Sequence, residues 1–467
     1  MIPTAFLDRM KAMLGAEYED FLASLDGPQY RALRVNTTKI SVEQFLAKVP
    51  FQVQPVPWTD NGFYYDESQR PGKSSLHEAG VYYIQEPSAM APVMFLEPQP
   101  GERILDLCAA PGGKSTQIGA KMNGQGILVC NEIHPARAKI LSENIERMGI
   151  AHAIVTNETP ERLAQMFGGY FDKVLVDAPC SGEGMFRKED AAGQEWSLDN
   201  VRLCADRQDE VLDQAAKMLR IGGRMVYSTC TFAPLEDEGA VARFLERHPD
   251  FEIVKVKIPE GFTPGRGDWA VSFGGVTKAP EEIDCTMRLM PHRLKGEGHY
   301  LAVLKRKGDE EGNARSKVSM EKSLSCKDVK EYVEFAKETF TDERLYGEGV
   351  FLKFGDQLYL GPNEMPSLRG LKVLRPGLHL GTIKKNRFEP SHALALVMKP
   401  EDARVTVDRA MDSLEVKQYL SGQTLLAEDD SRKGWCLVCV EGLSIGWGKL
   451  ASGIVKNHYP KGLRKYL

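Results

Sequence analysis

Ile104-Leu105-Asp106-Leu107-Cys108-Ala109-Ala110-Pro111-Gly112-Gly113-Lys114-Ser115 is the stretch that decides the fold of this chain. An apolar strand, residues 103–107, runs into a loop of small residues, and Gly112-Gly113 then opens a helix. The same alternation continues downstream. Residues 126–131 read as a second strand. Residues 135–148 carry Ala138, Leu141, Ile145 and Met148 at helical spacing, and Gly149 follows as a stop. Residues 153–156 and 172–177 are the third and fourth strands. Residues 201–219 form a long helix ended by Gly222-Gly223, and residues 224–229 are a fifth strand. Strands separated by helices predict a parallel sheet with crossover helices, a Rossmann-like α/β core. Ligands of such a sheet sit at the carboxyl ends of its strands.

Working outward, residues 4–25 have the apolar spacing of one amphipathic helix (Phe6, Leu7, Met10, Met13, Leu14), followed by a short strand at 32–36 and a strand-like stretch at 50–65. This makes a small N-terminal α/β domain, 1–75, ahead of the core, 76–305. Residues 306–322 are polar and charged and read as a linker. Two small domains follow, 323–388 and a strand-rich 389–467 punctuated by Gly442, Gly446, Gly448 and Gly453. The chain has 467 residues, which fits several domains. Hydrophobic residues make up 42% and charged residues 27%, so a normal core can be buried.

The net charge of −5 carries no nucleic-acid signature by itself. The charge is uneven, however. Residues 369–388 hold six Lys/Arg and no Asp/Glu, and residues 449–467 hold five and none. Such patches suit a polyanion, and the bland alternative is a solvated face. No apolar run approaches the ~20 residues that span a bilayer. The first residues do not form a signal peptide. Nine scattered cysteines are not a disulfide framework, and a reducing cytoplasm is the expected compartment.

Three ligands could use the loop at 108–115. A nucleoside triphosphate wants G-x4-G-K-[ST], and its first glycine would fall at Cys108, which breaks the motif. A dinucleotide wants G-x-G-x-x-G, which is absent. S-adenosylmethionine remains. It needs an acid for its ribose at the end of the second strand, and Glu132 stands there, eighteen residues after Lys114.

Asp177-Ala178-Pro179-Cys180-Ser181-Gly182 ends the fourth strand, and Ser228-Thr229-Cys230-Thr231 ends the fifth. A lone cysteine is most often a small buried hydrophobe, which fits Cys130 and Cys204. It fits Cys180 and Cys230 poorly, because both follow strand ends among small polar residues. Carbon 5 of cytosine is a poor nucleophile. A thiolate added to carbon 6 turns the ring into an enamine, and carbon 5 can then attack a methyl group. An acid must meet the charge developing at the N3 side of the ring, and Asp177 is placed for it. A base, a second thiolate or a water, must later remove the carbon 5 proton.

At these residues the chain resembles the Sun-type (NOL/NOP/Sun) RNA cytosine-5 methyltransferases, and within them the bacterial RsmF-like branch that acts on 16S ribosomal RNA. The shared pieces are Leu33-Arg34-Val35-Asn36-Thr37, Tyr83-Ile84-Gln85-Glu86-Pro87-Ser88-Ala89-Met90, Cys108 to Lys114, Asp177 to Gly182 and Ser228 to Thr231. The last domain resembles the PUA-like domain of that branch, with 442–449 and 457–464 as matching stretches. The resemblance implies that Cys230, in the Thr-Cys motif, attacks, and that Cys180 releases the product. In DNA cytosine-5 enzymes the attacking cysteine is the Pro-Cys one, so having both points to RNA. The resemblance also implies cofactor contacts from Cys108, Ala109, Ala110, Pro111, Gly112, Gly113, Lys114, Glu132 and Asp177. An adenine contact is assigned to Asn157 or its neighbours.

The expected RNA contacts are Arg31, Arg34 and Asn36 near the N-terminus and Lys384, Lys385, Arg387, Lys456, Lys461, Arg464 and Lys465 near the C-terminus. Deleting residues 390–467 is therefore expected to weaken RNA binding and leave cofactor affinity intact. Cys436-Leu437-Val438-Cys439 has no second pair nearby, and positions i and i+3 of a strand face opposite ways, so it reads as core and not as zinc ligands. No metal is expected. Glu236-Asp237-Glu238 reads as a helix N-terminus. The rival functions are a non-catalytic RNA-binding ribosome-assembly factor and a DNA cytosine-5 methyltransferase.

Overall fold

A computed structural model describes residues 2–188, 190–308, 318–342, 347–427 and 432–465. The expected linker, 306–322, falls largely outside the described residues. The core is a ten-stranded sheet. Its strands are β1 (Arg103–Asp106), β2 (Ile127–Asn131), β3 (Ala153–Thr156), β4 (Phe171–Asp177), β5 (Leu219–Thr229), β6 (Phe251–Ile253), β7 (Thr263–Pro264), β8 (Met287–Leu289), β9 (His299–Arg306) and β10 (Val373–Pro376). The order is β7-β8-β9-β5-β4-β1-β2-β3-β10, with β6 paired to β9. Strands β1 to β5 are mutually parallel, as the alternation of strands and helices predicts. The antiparallel β9 covers β5, and the antiparallel β10 covers β3 from far along the chain.

The crossover helices are α1 (Gly113–Met122), α2 (Pro135–Arg147), α3 (Pro160–Met166) and α4 (Leu198–Met218), and α5 (Glu238–Arg247) follows β5. Helix α4 buries Val201, Cys204, Ala205, Gln208, Val211, Leu212 and Ala215 along one stripe. It ends at Met218, before the expected glycines. Gly222 and Gly223 lie inside β5, where residues 220–223 bulge away from β4 between the pairs Phe171–Leu219 and Lys173–Arg224. Glycines inside a strand mark such bulges, so the stop signal was a strand feature.

The expected single helix at 4–25 is two helices, Thr4–Leu14 and Tyr18–Leu25, broken by a tight turn where Gly15 takes φ 55°. Phe6, Met10 and Phe21 of this pair pack on Phe186, Trp196 and Phe232. The N-terminal helices therefore brace the loops that carry both candidate cysteines. Behind them stands a four-stranded sheet of Val53–Pro55, Gly62–Tyr65, Arg31–Val35 and Tyr82–Ile84, in that spatial order.

Two more sheets complete the chain, one of four strands within 350–390 and one of five strands within 406–457. The last sheet is not independent. Val416, Tyr419, Leu425, Val438 and Val455 share one apolar cluster with Leu33, Val35, Phe45 and Tyr82 of the N-terminal sheet. Lys465 Nζ also meets Glu78 Oε1 at 2.6 Å. Removing residues 390–467 would thus strip the cover from a core, and the expectation that a deletion reports on RNA contacts alone is corrected. Cys436 and Cys439 are both buried and belong to different apolar clusters, so the strand does send them to opposite faces. Among the described residues no group of three or more His, Cys, Asp or Glu could hold a metal ion, and no helix is long and apolar enough to cross a membrane.

Candidate active site

Strand order reverses between β1 and β4, and ligands of open α/β sheets bind at such a switch point. A cavity of about 850 Å³ opens there. Its lining includes Cys108, Ala110, Glu132, Asp177, Cys180 and Cys230. The floor is the quoted loop. The Ser115 hydroxyl donates to Asp106 Oδ2 at 2.6 Å, and burial pushes the Asp106 carboxyl up to about 7. Gly112 takes φ 113°, and a Cβ there would stand 3.2 Å from Leu141, so the turn into α1 requires glycine.

Arg34 explains how this loop is held, and it corrects an expectation. It is 0% exposed and cannot touch RNA. Its Nε donates to Gln85 Oε1 at 2.9 Å, and its Nη2 donates to the Gly113 carbonyl at 3.1 Å and to Thr116 Oγ1 at 2.9 Å. The two N-terminal motifs thus clamp the start of α1. Asn36 is also buried and donates to the carbonyls of Gly80 and Met148, so it too is structural. Both were expected at the RNA because a polar motif near a basic arginine does not reveal its burial. The Arg34→Ala protein is expected to lose about 2–4 kcal/mol of stability, because it leaves buried acceptors without donors. It should bind cofactor more weakly in a titration. A phosphate contact would instead lower the salt slope of RNA binding without changing the melting temperature.

Glu132 directly follows β2, with its carboxylate nearly buried. Its Oε1 accepts from the His134 backbone N–H at 2.9 Å, and Arg137 lies 3.5 Å from Oε2. Asn157 does not line the cavity. Its Nδ2 donates to the carbonyls of Glu132 and Ile133, both at 2.8 Å, so it supports the wall from behind. The wall itself presents Ile133, Thr159, Pro160 and Glu161. Ile133 is 59% exposed, an unusual setting for isoleucine that the sequence did not flag.

At the other end of the cavity stand the thiols. Cys180 and Cys230 Sγ are 3.3 Å apart. The Cys180 thiol is pushed well up, first by this contact and then by burial. Asp177 accepts from Lys114 Nζ at 2.8 Å on Oδ2 and from the Ser228 hydroxyl at 2.8 Å on Oδ1, and His299 Nε2 lies 3.6 Å from Oδ1. Burial alone would raise the Asp177 carboxyl. Lys114 and His299 override it and hold the carboxyl well below the usual carboxylate range.

A buried network ties the two cysteine loops together. Glu236 accepts from the Ser181 backbone N–H at 2.8 Å, from the Ser181 hydroxyl, and from Gln208 Nε2 at 3.1 Å. Gln208 also donates to the Pro179 carbonyl, and the Ser181 and Thr231 hydroxyls are 2.9 Å apart. Burial, with Glu183 close by, pushes the Glu236 carboxyl up to about 7. Gly184 N–H donates to the Cys230 carbonyl at 2.8 Å, and a Cβ on Gly184 would sit 2.8 Å from the same oxygen. Helix α5 does begin at Glu238, as expected, yet Asp237 and Glu238 are buried on Arg288 and not merely dipole-compensating. Ser228 lay inside a quoted motif. Glu236 was read only as part of a helix N-terminus, and Gln208 and His299 carried no signal, because helix packing brings the one and strand pairing the other to the cysteines.

The remaining expected RNA contacts lie elsewhere. Arg31 is exposed and pairs with Glu67 at 2.5 Å. Lys385 and Arg387 are exposed on the hairpin that joins two strands at 378–384 and 387–390, and Lys384 beside them is half-buried. Lys456 and Lys461 are exposed, whereas Arg464 packs on Gly422 and Lys465 is held by Glu78.

A parallel 3-2-1-4-5 core with an antiparallel neighbour beyond β5, and a cleft at its switch point, defines the class: a methyltransferase with a Rossmann-like core. Four family models then cover nearly all of the chain. They are the 16S rRNA methyltransferase RsmB/F family at residues 93–305, the N-terminal domain of 16S rRNA methyltransferase RsmF at 2–87, the RsmF first C-terminal domain at 334–398, and the RsmF PUA domain at 409–465. The ribosomal RNA small subunit methyltransferase F of Vibrio vulnificus is 34% identical, covering 99% of this chain and 97% of that one. That of Serratia proteamaculans is 31% identical over 99% of this chain and 96% of that one. A methyltransferase homolog from Pyrococcus horikoshii is 30% identical, with a TM-score of 0.58 over 66% of this chain and 95% of that one. The chain belongs to the RsmF family of ribosomal RNA small subunit methyltransferases, and it is an RNA methyltransferase.

Proposed function

We propose that this protein methylates carbon 5 of a cytosine in small-subunit ribosomal RNA, with S-adenosylmethionine as donor and Cys230 as covalent nucleophile. The observation that carries this reading is the 3.3 Å approach of two thiols beside an ionised Asp177 in one cavity. Direct methyl transfer to an oxygen or nitrogen needs no thiol, because the lone pair attacks the methyl group itself. Two are wanted where an adduct must be made and then resolved.

The donor set fits the cofactor. Glu132 offers a carboxylate for ribose hydroxyls, Ile133 and Pro160 offer apolar faces for a flat base, and the loop from Cys108 to Lys114 offers close backbone approach. Bound there, S-adenosylmethionine supplies an electrophilic methyl group. The chain's own residues do the rest. The Cys230 thiolate bonds carbon 6. Asp177 faces the N3 side of the ring and meets the charge that develops there. After transfer, the carbon 5 proton passes to a base, either Cys180 once it has given up its own proton or a water beside it, the carbon–sulfur pair returns to Cys230, and the product is free.

The intact site argues against a non-catalytic assembly factor, and the Thr-Cys motif argues against a DNA enzyme. Trapping on 5-fluorocytosine RNA, with the same DNA sequence as a comparison, tests the reading, and bisulfite sequencing of ribosomal RNA with and without the protein locates the base. No trapping on RNA, or trapping on DNA alone, would refute it. The base must leave its stack to be reached, at a cost of a few kcal/mol, so remote contacts are needed. Lys385, Arg387, Lys456 and Lys461 are the exposed candidates. Replacing Lys385 and Lys461 by alanine together should reduce the salt slope of RNA binding by about one per lost phosphate contact. Cofactor affinity should not move, and an unaltered slope would remove these residues from the interface. A cytoplasmic setting belongs to the same reading.

A further inference from the structure

His299 begins β9. Pairing of Tyr300 with Thr229 places it across from Cys230, and its β8 partner is the apolar Leu289. The ring is buried, with a side chain 4% exposed. Nδ1 lies 3.2 Å from the Gly298 carbonyl, which can only accept, so Nδ1 carries a hydrogen. Nε2 faces Asp177 Oδ1 at 3.6 Å and has no hydrogen-bond partner among the described residues. A bare nitrogen lone pair facing a carboxylate oxygen would repel it. The contact is attractive only with a proton between the two atoms. Asp177 of β4 faces the ring, Lys114 of α1 meets the same carboxylate, Cys230 lies across from His299 just past β5, and Glu297, paired with Arg187, stands two residues before it in the chain.

We propose that His299 stores the proton that Asp177 passes to N3 of the target cytosine when the Cys230 sulfur bonds carbon 6. The proposal rests on the cysteine reading above and adds the source of the proton. Asp177 cannot be that source alone, because Lys114 keeps it ionised. In the step, the thiolate pair forms the S–C6 bond and the ring π electrons shift toward N3. Nε2 gives its proton to Asp177 Oδ1 and Asp177 passes it on to N3, which leaves His299 neutral and Asp177 ionised again. When carbon 5 later loses its own proton and the S–C6 bond breaks, the N3 proton returns by the same path, so the relay ends as it began. His299 acts through Asp177 and is a positioning residue in that sense.

The test uses the full chain, cofactor and 5-fluorocytosine RNA, and reads the single-turnover rate of adduct formation across pH. The wild-type rate should fall on the alkaline side, where the stored proton is lost. His299→Gln places an amide near Asp177 that cannot pass on a proton. Adduct formation should slow about 100-fold or more, and the alkaline limb should vanish. Cofactor affinity should be unchanged. His299→Asn keeps the donor near the Gly298 carbonyl and should show the same kinetic loss. A His299→Gln protein that forms adduct at the wild-type rate with an unchanged profile overturns the proposal. So does a wild-type profile with no alkaline limb, which needs no variant to fold. If wild-type protein forms no adduct with RNA at any pH, the cysteine reading itself fails, and that result is distinct from a normal adduct rate in the variant.

Discussion

Cys230→Ala protein is expected to transfer no methyl groups to ribosomal RNA and to form no covalent complex with 5-fluorocytosine RNA. The loss should be complete, because in the proposed mechanism carbon 5 attacks only after sulfur has bonded carbon 6. The variant should still fold. The interaction that Gly184 makes here is with the Cys230 backbone carbonyl, which alanine keeps. Cofactor affinity should therefore be preserved, so lost activity with retained binding identifies a chemical defect. The nearest substitute nucleophile is Cys180, only 3.3 Å away. That proximity makes the experiment informative. If Cys230→Ala protein still gave a band of protein bound to RNA on a denaturing gel, Cys180 would be the attacking thiol and the roles would be exchanged.

The second large effect is expected from Cys180→Ala. If Cys180 takes the carbon 5 proton, its loss should stop release and not attack. Ordinary RNA, without fluorine, should then accumulate as a stable adduct, and turnover should cease after about one methyl per protein. The surrounding network sharpens this expectation. Ser181, Glu236 and Gln208 fix the Pro179–Ser181 loop without using the Cys180 sulfur, so removing that sulfur leaves its neighbours in place. A variant that is inactive and forms no adduct would make Cys180 structural, or a part of the attack step.

Local pattern made much of this legible beforehand. Apolar strands alternating with helices determined a parallel core, and small residues after the first strand marked where a ligand approaches backbone. Cys180 and Cys230 were conspicuous because each follows a strand end among polar residues, where a merely buried thiol would be out of place. Those inferences depend only on neighbours in sequence. Arg34 and Asn36 show the limit. Each is polar and lies in a polar motif, yet each is buried against segments 44 to 112 residues away. Asn157 stands next to the cavity in sequence but turns its amide to the wall behind it. His299 reaches Asp177 only because β9 runs antiparallel beside β5, and strand order is set by packing and not by spacing along the chain. The last domain looked separable because its strand signals are self-contained. Tertiary structure alone decided that its apolar face completes the N-terminal core, since an amphipathic sheet announces that it must bury one face without naming what covers it.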